Sequence, residues 1–176
     1  LAPFKPRTTD VNVVLDLMIH DIDIILDMVR SPVKSLAASG ARVLSDALDI
    51  ANVRIEFESG CVANVTSSRV SLKSERKMRI FQKNAYVSID FQNRGLSIHH
   101  LGDREAFPGI PEITSENTLF EEGDALKTEI HAFLDAVVGE APVIVTGEDG
   151  QRALETAIRI SELVHSDALI LGEMPR

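Results

Sequence analysis

Cysteine is nearly absent from this sequence, because Cys61 is the single one among 176 residues. One thiol excludes an internal disulfide and a zinc site built from several thiolates, and it is typical of a reducing compartment. No signal peptide is recognisable, so we expect a cytoplasmic protein. The chain starts at Leu1 without a methionine and enters a long helical pattern almost at once. We therefore expect it to be part of a longer protein.

Basic clusters and long apolar runs are also missing. The net charge is −9 and the Lys and Arg residues are scattered. This argues against a nucleic-acid partner, because a phosphate backbone requires a basic face. Asp or His interrupts the longest apolar stretch every few residues, so we expect no membrane-spanning segment.

Several well-known motifs are absent as well. No two of the ten glycines are separated by a single residue, which excludes a G-x-G-x-x-G turn, and no G-x-x-x-x-G-K loop occurs either. The nucleophile motif G-x-S-x-G and the zinc motif H-E-x-x-H do not occur. The chain therefore encodes no recognisable phosphate cradle, and its chemistry has to come from other residues.

Residues 10–30, DVNVVLDLMIHDIDIILDMVR, predict a long helix that is apolar over most of its circumference. Its polar residues recur every three or four positions and so share one narrow stripe: Asn12, Asp16, His20, Asp23 and Asp27. Burying ionisable groups is costly unless they are paired or line a wet cleft. The stripe therefore either faces a functional site or forms a polar seam that is satisfied within the fold.

After residue 31 the apolar period changes to two, which indicates strands. Residues 50–58 alternate most clearly, and Ser59-Gly60 then predicts a tight hairpin turn. Strands are predicted at residues 33–44, 50–58, 61–70, 76–82, 86–91 and 96–101. Residues 102–119 show no periodicity and predict a long loop.

Two amphipathic helices are predicted after the strands, at residues 121–138 and 148–165. A helix, a run of hairpin-linked strands and further helices in that order are typical of the α+β class. We therefore predict a single α+β domain over residues 1–176. It would contain an open, predominantly antiparallel mixed sheet of about six strands with helices on one face.

Asp16 and His20 are the leading candidates for chemistry. They lie four residues apart on the predicted helix, and a carboxylate beside an imidazole makes a competent general base near neutral pH. The alternative is an Asp–His pair that is satisfied within the fold. We expect no metal site, because metals usually take ligands from more than one element. Arg7 and Arg69 are candidates for an anionic ligand, with a structural ion pair as the alternative.

The pattern D-V-x-V-V-L-D-L-M-I-H-D-I-D resembles the second domain of the Gfo/Idh/MocA oxidoreductases. The likeness extends to E-I-x-A-F-L-D-A-V and G-E-D-G-x-R-A-L-E-x-A near the end of the chain. The resemblance implies a glyceraldehyde-3-phosphate dehydrogenase-like C-terminal domain that follows a Rossmann domain binding NAD or NADP. It also implies a homodimer or tetramer formed through the open sheet face.

The same resemblance implies catalytic roles for Asp16 and His20, together with a Lys from the Rossmann domain. His20 would take the hydroxyl proton as hydride leaves for the nicotinamide, and Asp16 would orient His20. The Rossmann domain and its Lys are absent here, so we expect this chain alone to be inactive.

The segment L-A-P-F-x-P-R resembles members that act on nucleotide-activated amino sugars, UDP-N-acetylglucosamine among them. A sugar or nucleotide-sugar substrate is thus implied, with Arg7 and Arg69 on its anionic part, because a guanidinium suits phosphate or carboxylate. Asn12 stands where many members carry Gly and is a third candidate for substrate binding. The alternative function is a non-catalytic dimerising or ligand-binding module with the same fold.

Overall fold

The computed structural model describes residues 1–4 and 11–171, and the side chains of all of these except residues 103, 110 and 166–171. A π-helical turn at Val14–Met18 leads into helix α1 (Ile19–Val29). Two longer helices follow the strands, α2 (Ala125–Val137) and α3 (Gly147–Leu171). The described residues form these strands: β1 (Val33–Ala41), β2 (Ile50–Phe57), β3 (Val62–Ser68), β4 (Lys77–Gln82), β5 (Ala85–Asp90), β6 (Gly95–Phe107) and β7 (Ile110–Leu119). The chain divides into two compact units, Leu1–Ser74 with Val143–Arg176, and Glu75–Pro142.

In the first unit, β2 is the central strand of a three-stranded antiparallel sheet with the order β1-β2-β3. The alternation predicted for β2 is confirmed, because every second side chain is buried and the residues Asn52 and Arg54 between them are exposed. The predicted hairpin after β2 is also confirmed, and Gly60 adopts the left-handed φ of 84° that this turn requires.

The core of this unit lies between the sheet and the helices. Helix α3 packs against β1 and α1, while the π-helical turn packs against β3 and α3. Burying these aliphatic side chains provides the main driving force for folding, at roughly 25 cal/mol per Å² of apolar surface. The buried core residues are Val13, Val14, Met18, Ile22, Leu48, Ala51, Val53, Ile55, Phe57, Val65, Ala157, Ile160 and Val164.

The second unit contains an antiparallel sheet with the order β4-β5-β6-β7. Helix α2 belongs to the same unit and begins at Ala125, because the Asp124 carboxylate caps the helix by accepting a hydrogen bond from the Lys127 N–H. None of the side chains of α2 is buried, although the helix carries a row of large apolar residues: Leu126, Ile130, Phe133, Leu134 and Val137.

The long loop predicted at residues 102–119 is wrong, because these residues extend β6 and form β7. Gly109 makes the hairpin turn with a φ of 79°, and its N–H donates to the Glu105 carboxylate. Cross-strand side-chain bonds join the two strands, including one from the Ser97 hydroxyl to Asn117. Both strands are exposed over most of this stretch, so no apolar alternation marks them in the sequence.

The α+β class and the antiparallel pairing of the strands are confirmed. The arrangement differs from the single sheet of about six strands, since the described strands form one sheet of three and another of four. Residues 69–76 contain no strand that would bridge β3 and β4. No helix within residues 1–4 and 11–171 has both the length and the apolar content that crossing a membrane requires.

Among the described glycines of the first unit, Gly40 in β1 has the closest neighbours. A Cβ atom there would lie 2.7 Å from the Ile50 carbonyl oxygen and 2.8 Å from Val164 Cγ1. We expect Gly40→Ala to lower the free energy of unfolding by about 1–3 kcal/mol, because the carbonyl of the paired strand cannot move away cheaply. Urea unfolding of the chain measures this change.

Gly150 in α3 provides the matched control, because a Cβ atom there would have no neighbour within 4 Å. Gly150→Ala should stabilise the chain by up to about 1 kcal/mol through the lower entropy of the unfolded backbone. Equal effects of the two substitutions would contradict the packing assigned to Gly40.

Candidate functional site

Asn12 determines where the site helix begins. Its Oδ1 atom accepts hydrogen bonds from the backbone N–H groups of Val14 and Leu15, both at 3.0 Å. Its Nδ2 atom donates to the Ser161 hydroxyl on α3 at 3.3 Å. Asn12 therefore caps the helix and ties it to α3. Any contact between Asn12 and a substrate stays a prediction.

The first turn of this helix is a π turn and not the regular α-helix that the sequence predicts. The Ile19 N–H donates to the Val14 carbonyl, which closes the turn over five residues. Val14 and Met18 are fully buried, and Asp16 lies between them in the same turn. Single π turns are rare and often occur at functional sites.

The polar stripe lies beside solvent. His20 is exposed, and Asn12, Asp16 and Asp23 are half-buried. Asp27 is exposed and forms an ion pair with Arg30 at 3.1 Å, which accounts for its presence. This exposure favours the interpretation that the stripe faces a site over the alternative of a buried polar seam.

Asp16 and His20 share this open side of the helix, but within the described residues no hydrogen bond joins their side chains. The role of Asp16 in orienting His20 therefore stays a prediction. Among the described residues, no three His, Cys, Asp or Glu side chains are grouped closely enough to hold a metal ion.

The structure describes only one of the two arginines that were predicted to bind an anionic ligand. Arg7 lies outside the described residues. Arg69 is only 2% exposed, and its Nε atom lies 3.0 Å from Asp49 Oδ1 in a buried ion pair. A second guanidinium nitrogen, Nη2, donates to the Leu48 carbonyl at 2.8 Å. This geometry favours the structural alternative for Arg69 over contact with a substrate.

Asp49 was not singled out by the sequence, although it is fully buried and receives several hydrogen bonds. Burial opposes its ionised form, but bonds from the Ser45 hydroxyl and from the backbone N–H groups of Leu44, Val43 and Ser45 outweigh burial. The pKa of Asp49 is consequently held well below its ordinary value of 3.8. The one feature of the sequence that could have indicated this site is a serine, Ser45, four residues before Asp49 in a turn.

With this geometry established, the chain can be compared with known proteins. Residues 4–88 match the family model of the GFO/IDH/MocA C-terminal domain. The chain is also 39% identical over 166 residues to UDP-N-acetylglucosamine 3-dehydrogenase of Acidithiobacillus ferrooxidans, which covers 94% of this chain and 53% of that protein. Over residues 4–88 the chain is similar to the Gfo/Idh/MocA C-terminal domains. The family resemblance stated from the sequence is thereby confirmed, and the chain spans about half the length of this curated relative.

Solved structures agree with this assignment. UDP-N-acetylglucosamine 3-dehydrogenase GnnA from Acidithiobacillus ferrooxidans matches with a TM-score of 0.85 at 38% identity, over 94% of this chain and 52% of that one. Levoglucosan dehydrogenase, solved with NADH and L-sorbose, matches with a TM-score of 0.73 at 15% identity, over 88% of this chain and 48% of that one. At that identity the likeness shows the fold of the domain alone.

The Asp49–Arg69 pair gives a prediction for stability and its pH dependence. Asp49→Asn leaves the buried Arg69 guanidinium without its carboxylate, so we expect a loss of about 3–5 kcal/mol in the free energy of unfolding at neutral pH. Because folding lowers the pKa of Asp49, its stabilising contribution is present above about pH 4 and is lost as the pH falls below that value. The difference in the free energy of unfolding between wild type and variant should therefore become smaller in acid.

Urea midpoints at several pH values from 7 to 3 measure that difference. Asp46→Asn is the control, because Asp46 is exposed in the same turn, and it should leave the midpoint unchanged. A gap between wild type and Asp49→Asn that stays constant down to pH 3 would show that the carboxylate does not stabilise the fold in its ionised form.

Proposed function

We propose that the protein containing this domain is an NAD(P)-dependent dehydrogenase that oxidises a hydroxyl group of a sugar or nucleotide sugar. The main observation in support is that His20 and Asp16 lie on the solvent-facing side of a helix, in a chain that is 39% identical to a UDP-N-acetylglucosamine 3-dehydrogenase. Levoglucosan dehydrogenase, whose domain has the same fold, was solved with NADH. These relatives support a sugar hydroxyl as substrate and a nicotinamide as hydride acceptor.

His20 is suited to act as the general base. Its imidazole is exposed, so a substrate hydroxyl can reach it, and histidine accepts protons in the neutral pH range. In the proposed reaction His20 takes the hydroxyl proton while the carbon bearing that hydroxyl becomes a carbonyl carbon. When bound, the nicotinamide supplies the acceptor for the hydride.

Asp16 has the secondary role in this proposal. Its carboxylate would orient His20 and offset the positive charge that forms when the imidazole takes a proton. Hydrogen bonds of this kind often tighten only when substrate is present. The absence of an Asp16–His20 bond in the described residues is compatible with that role.

The described residues do not fit a complete dinucleotide site. The sequence has no glycine-rich turn, and Arg69, one of the two arginines predicted to bind an anionic ligand, is buried in an ion pair. We therefore assign the dinucleotide to a Rossmann domain of the longer protein. The side chains of the stripe are assigned to the substrate alone.

The activity of the Acidithiobacillus ferrooxidans relative leads us to propose UDP-N-acetylglucosamine, or a nucleotide sugar of the same class, as substrate. The experiment is a turnover assay of the full-length protein with this compound and NAD or NADP, followed by the absorbance of the reduced nicotinamide. We expect His20→Ala to reduce turnover by about 10²- to 10⁴-fold, since general acid–base catalysis contributes that much.

Asp27→Asn is the matched control, because Asp27 lies on the same helix stripe and is paired with Arg30 away from the proposed chemistry. It should leave turnover unchanged, and circular dichroism should show both variants folded. Unchanged activity in His20→Ala would overturn the assignment of the general base. A wild-type protein that binds the nucleotide sugar without turnover would favour the non-catalytic module instead.

A further inference from the structure

The carbonyl oxygen of Leu48 is the point at which the sheet and the site helix meet. It accepts a hydrogen bond from the Val13 N–H at 3.0 Å, at the residue where the helix begins. It also accepts one from Arg69 Nη2 at 2.8 Å. One buried oxygen thus connects the first turn of the helix to a guanidinium at the end of β3.

The guanidinium itself is held on its other side. Arg69 Nε lies 3.0 Å from Asp49 Oδ1, and the Arg69 N–H donates to the Asp49 carbonyl at 2.9 Å. Asp49 in turn is fixed by Ser45 and by the N–H groups of Val43 and Leu44, at distances from 2.6 to 2.9 Å. The Asp49 N–H also donates to Ala41 at the end of β1. Arg69 is therefore immobilised relative to the sheet.

We propose that Arg69, held by Asp49, is a positioning residue for the site. It holds the Leu48 carbonyl in the place where Val13 binds it, and so determines where the π turn places Asp16 and where α1 places His20. This inference rests on the proposed function, because that function gives His20 and Asp16 their roles. The contacts that support it are observed within the chain itself.

Positioning and substrate contact make different predictions for Arg69. A guanidinium that bound the substrate's phosphates would contribute to KM. A residue that only places the first turn of the helix affects the alignment of His20 and therefore kcat. A displacement of about 1 Å at a catalytic group can cost about 10²-fold in rate.

The first test measures amide hydrogen exchange in the 176-residue chain. The variant is Asp49→Asn combined with Arg69→Met, which removes both charges and leaves neither one buried without a partner. We expect exchange in the segment 11–20 to accelerate by about tenfold or more, as for a locally opened element. The segment Ile50–Phe57 in β2 should keep its protection. The proposal would be overturned if segment 11–20 of the variant were as protected from exchange as in the wild type. It would also be overturned if both segments lost protection to the same extent.

Arg152→Met is the control, because Arg152 forms an exposed ion pair with Asp149 on α3 in the same unit. It should leave exchange in segment 11–20 unchanged. If the double variant does not fold, Arg69→Lys replaces it in the exchange experiment. It retains the charge beside Asp49, but lacks the planar fork that reaches both Asp49 and Leu48, so it should still accelerate exchange in segment 11–20.

The second test measures the steady-state kinetics of the full-length protein. The double variant should lower kcat by about 10²-fold with KM unchanged, while Arg152→Met leaves both constants unchanged. A higher KM with unchanged kcat would assign Arg69 to substrate binding and overturn the proposal. If the wild type shows no dehydrogenase activity, the proposed function fails, and the exchange experiment still decides whether Arg69 positions the helix.

Discussion

The buried ion pair between Asp49 and Arg69 is the contact on which the first unit depends. Removing two charges from water is costly, and such a pair is tolerated only when nearly every polar atom finds a partner. Here the Asp49 carboxylate accepts bonds from backbone N–H groups, from the Ser45 hydroxyl and from Arg69. These partners come from the turn between β1 and β2 and from the residue that follows β3. The pair therefore fixes one corner of the sheet, and the site helix begins at that corner, where the Val13 N–H donates to the Leu48 carbonyl.

The helix that starts there has a rigid side and an open side. Val14, Met18 and Ile22 recur every four residues and are fully buried against the core. The opposite side carries His20 beside solvent. A catalytic side chain has to be held within a fraction of an ångström while it remains accessible, and an anchored helix meets both requirements. The two ends of the anchor, Leu48 on the sheet side and Ser161 on α3, come from segments far apart in the sequence.

The parts of the fold that the sequence could predict are those in which apolar residues recur with the period of a helix or a strand. The alternation of β2 and the apolar faces of α1 and α3 have periods that a solvent boundary imposes on the side chains. The part of the β6–β7 hairpin over residues 102–119 lacks such a boundary, so the sequence predicts a loop there. The π turn has no signature in the sequence either, because Val14, Met18 and Ile22 recur every four residues through it, as they would in a regular helix. Arg69 finds its partner 20 residues away, a distance at which only the folded sheet selects Asp49 among the acidic residues.

The charge of the stripe constrains how a nucleotide sugar would bind. Asp16 and Asp23 lie on the same side of the helix as His20. Their carboxylates would repel a diphosphate and would favour the protonated imidazole that the proposed reaction forms. With the Arg69 guanidinium buried beside Asp49, the cation for the diphosphate has to come from outside the stripe. Among the residues that the sequence singled out, Arg7 is the candidate that this arrangement leaves for the anionic part.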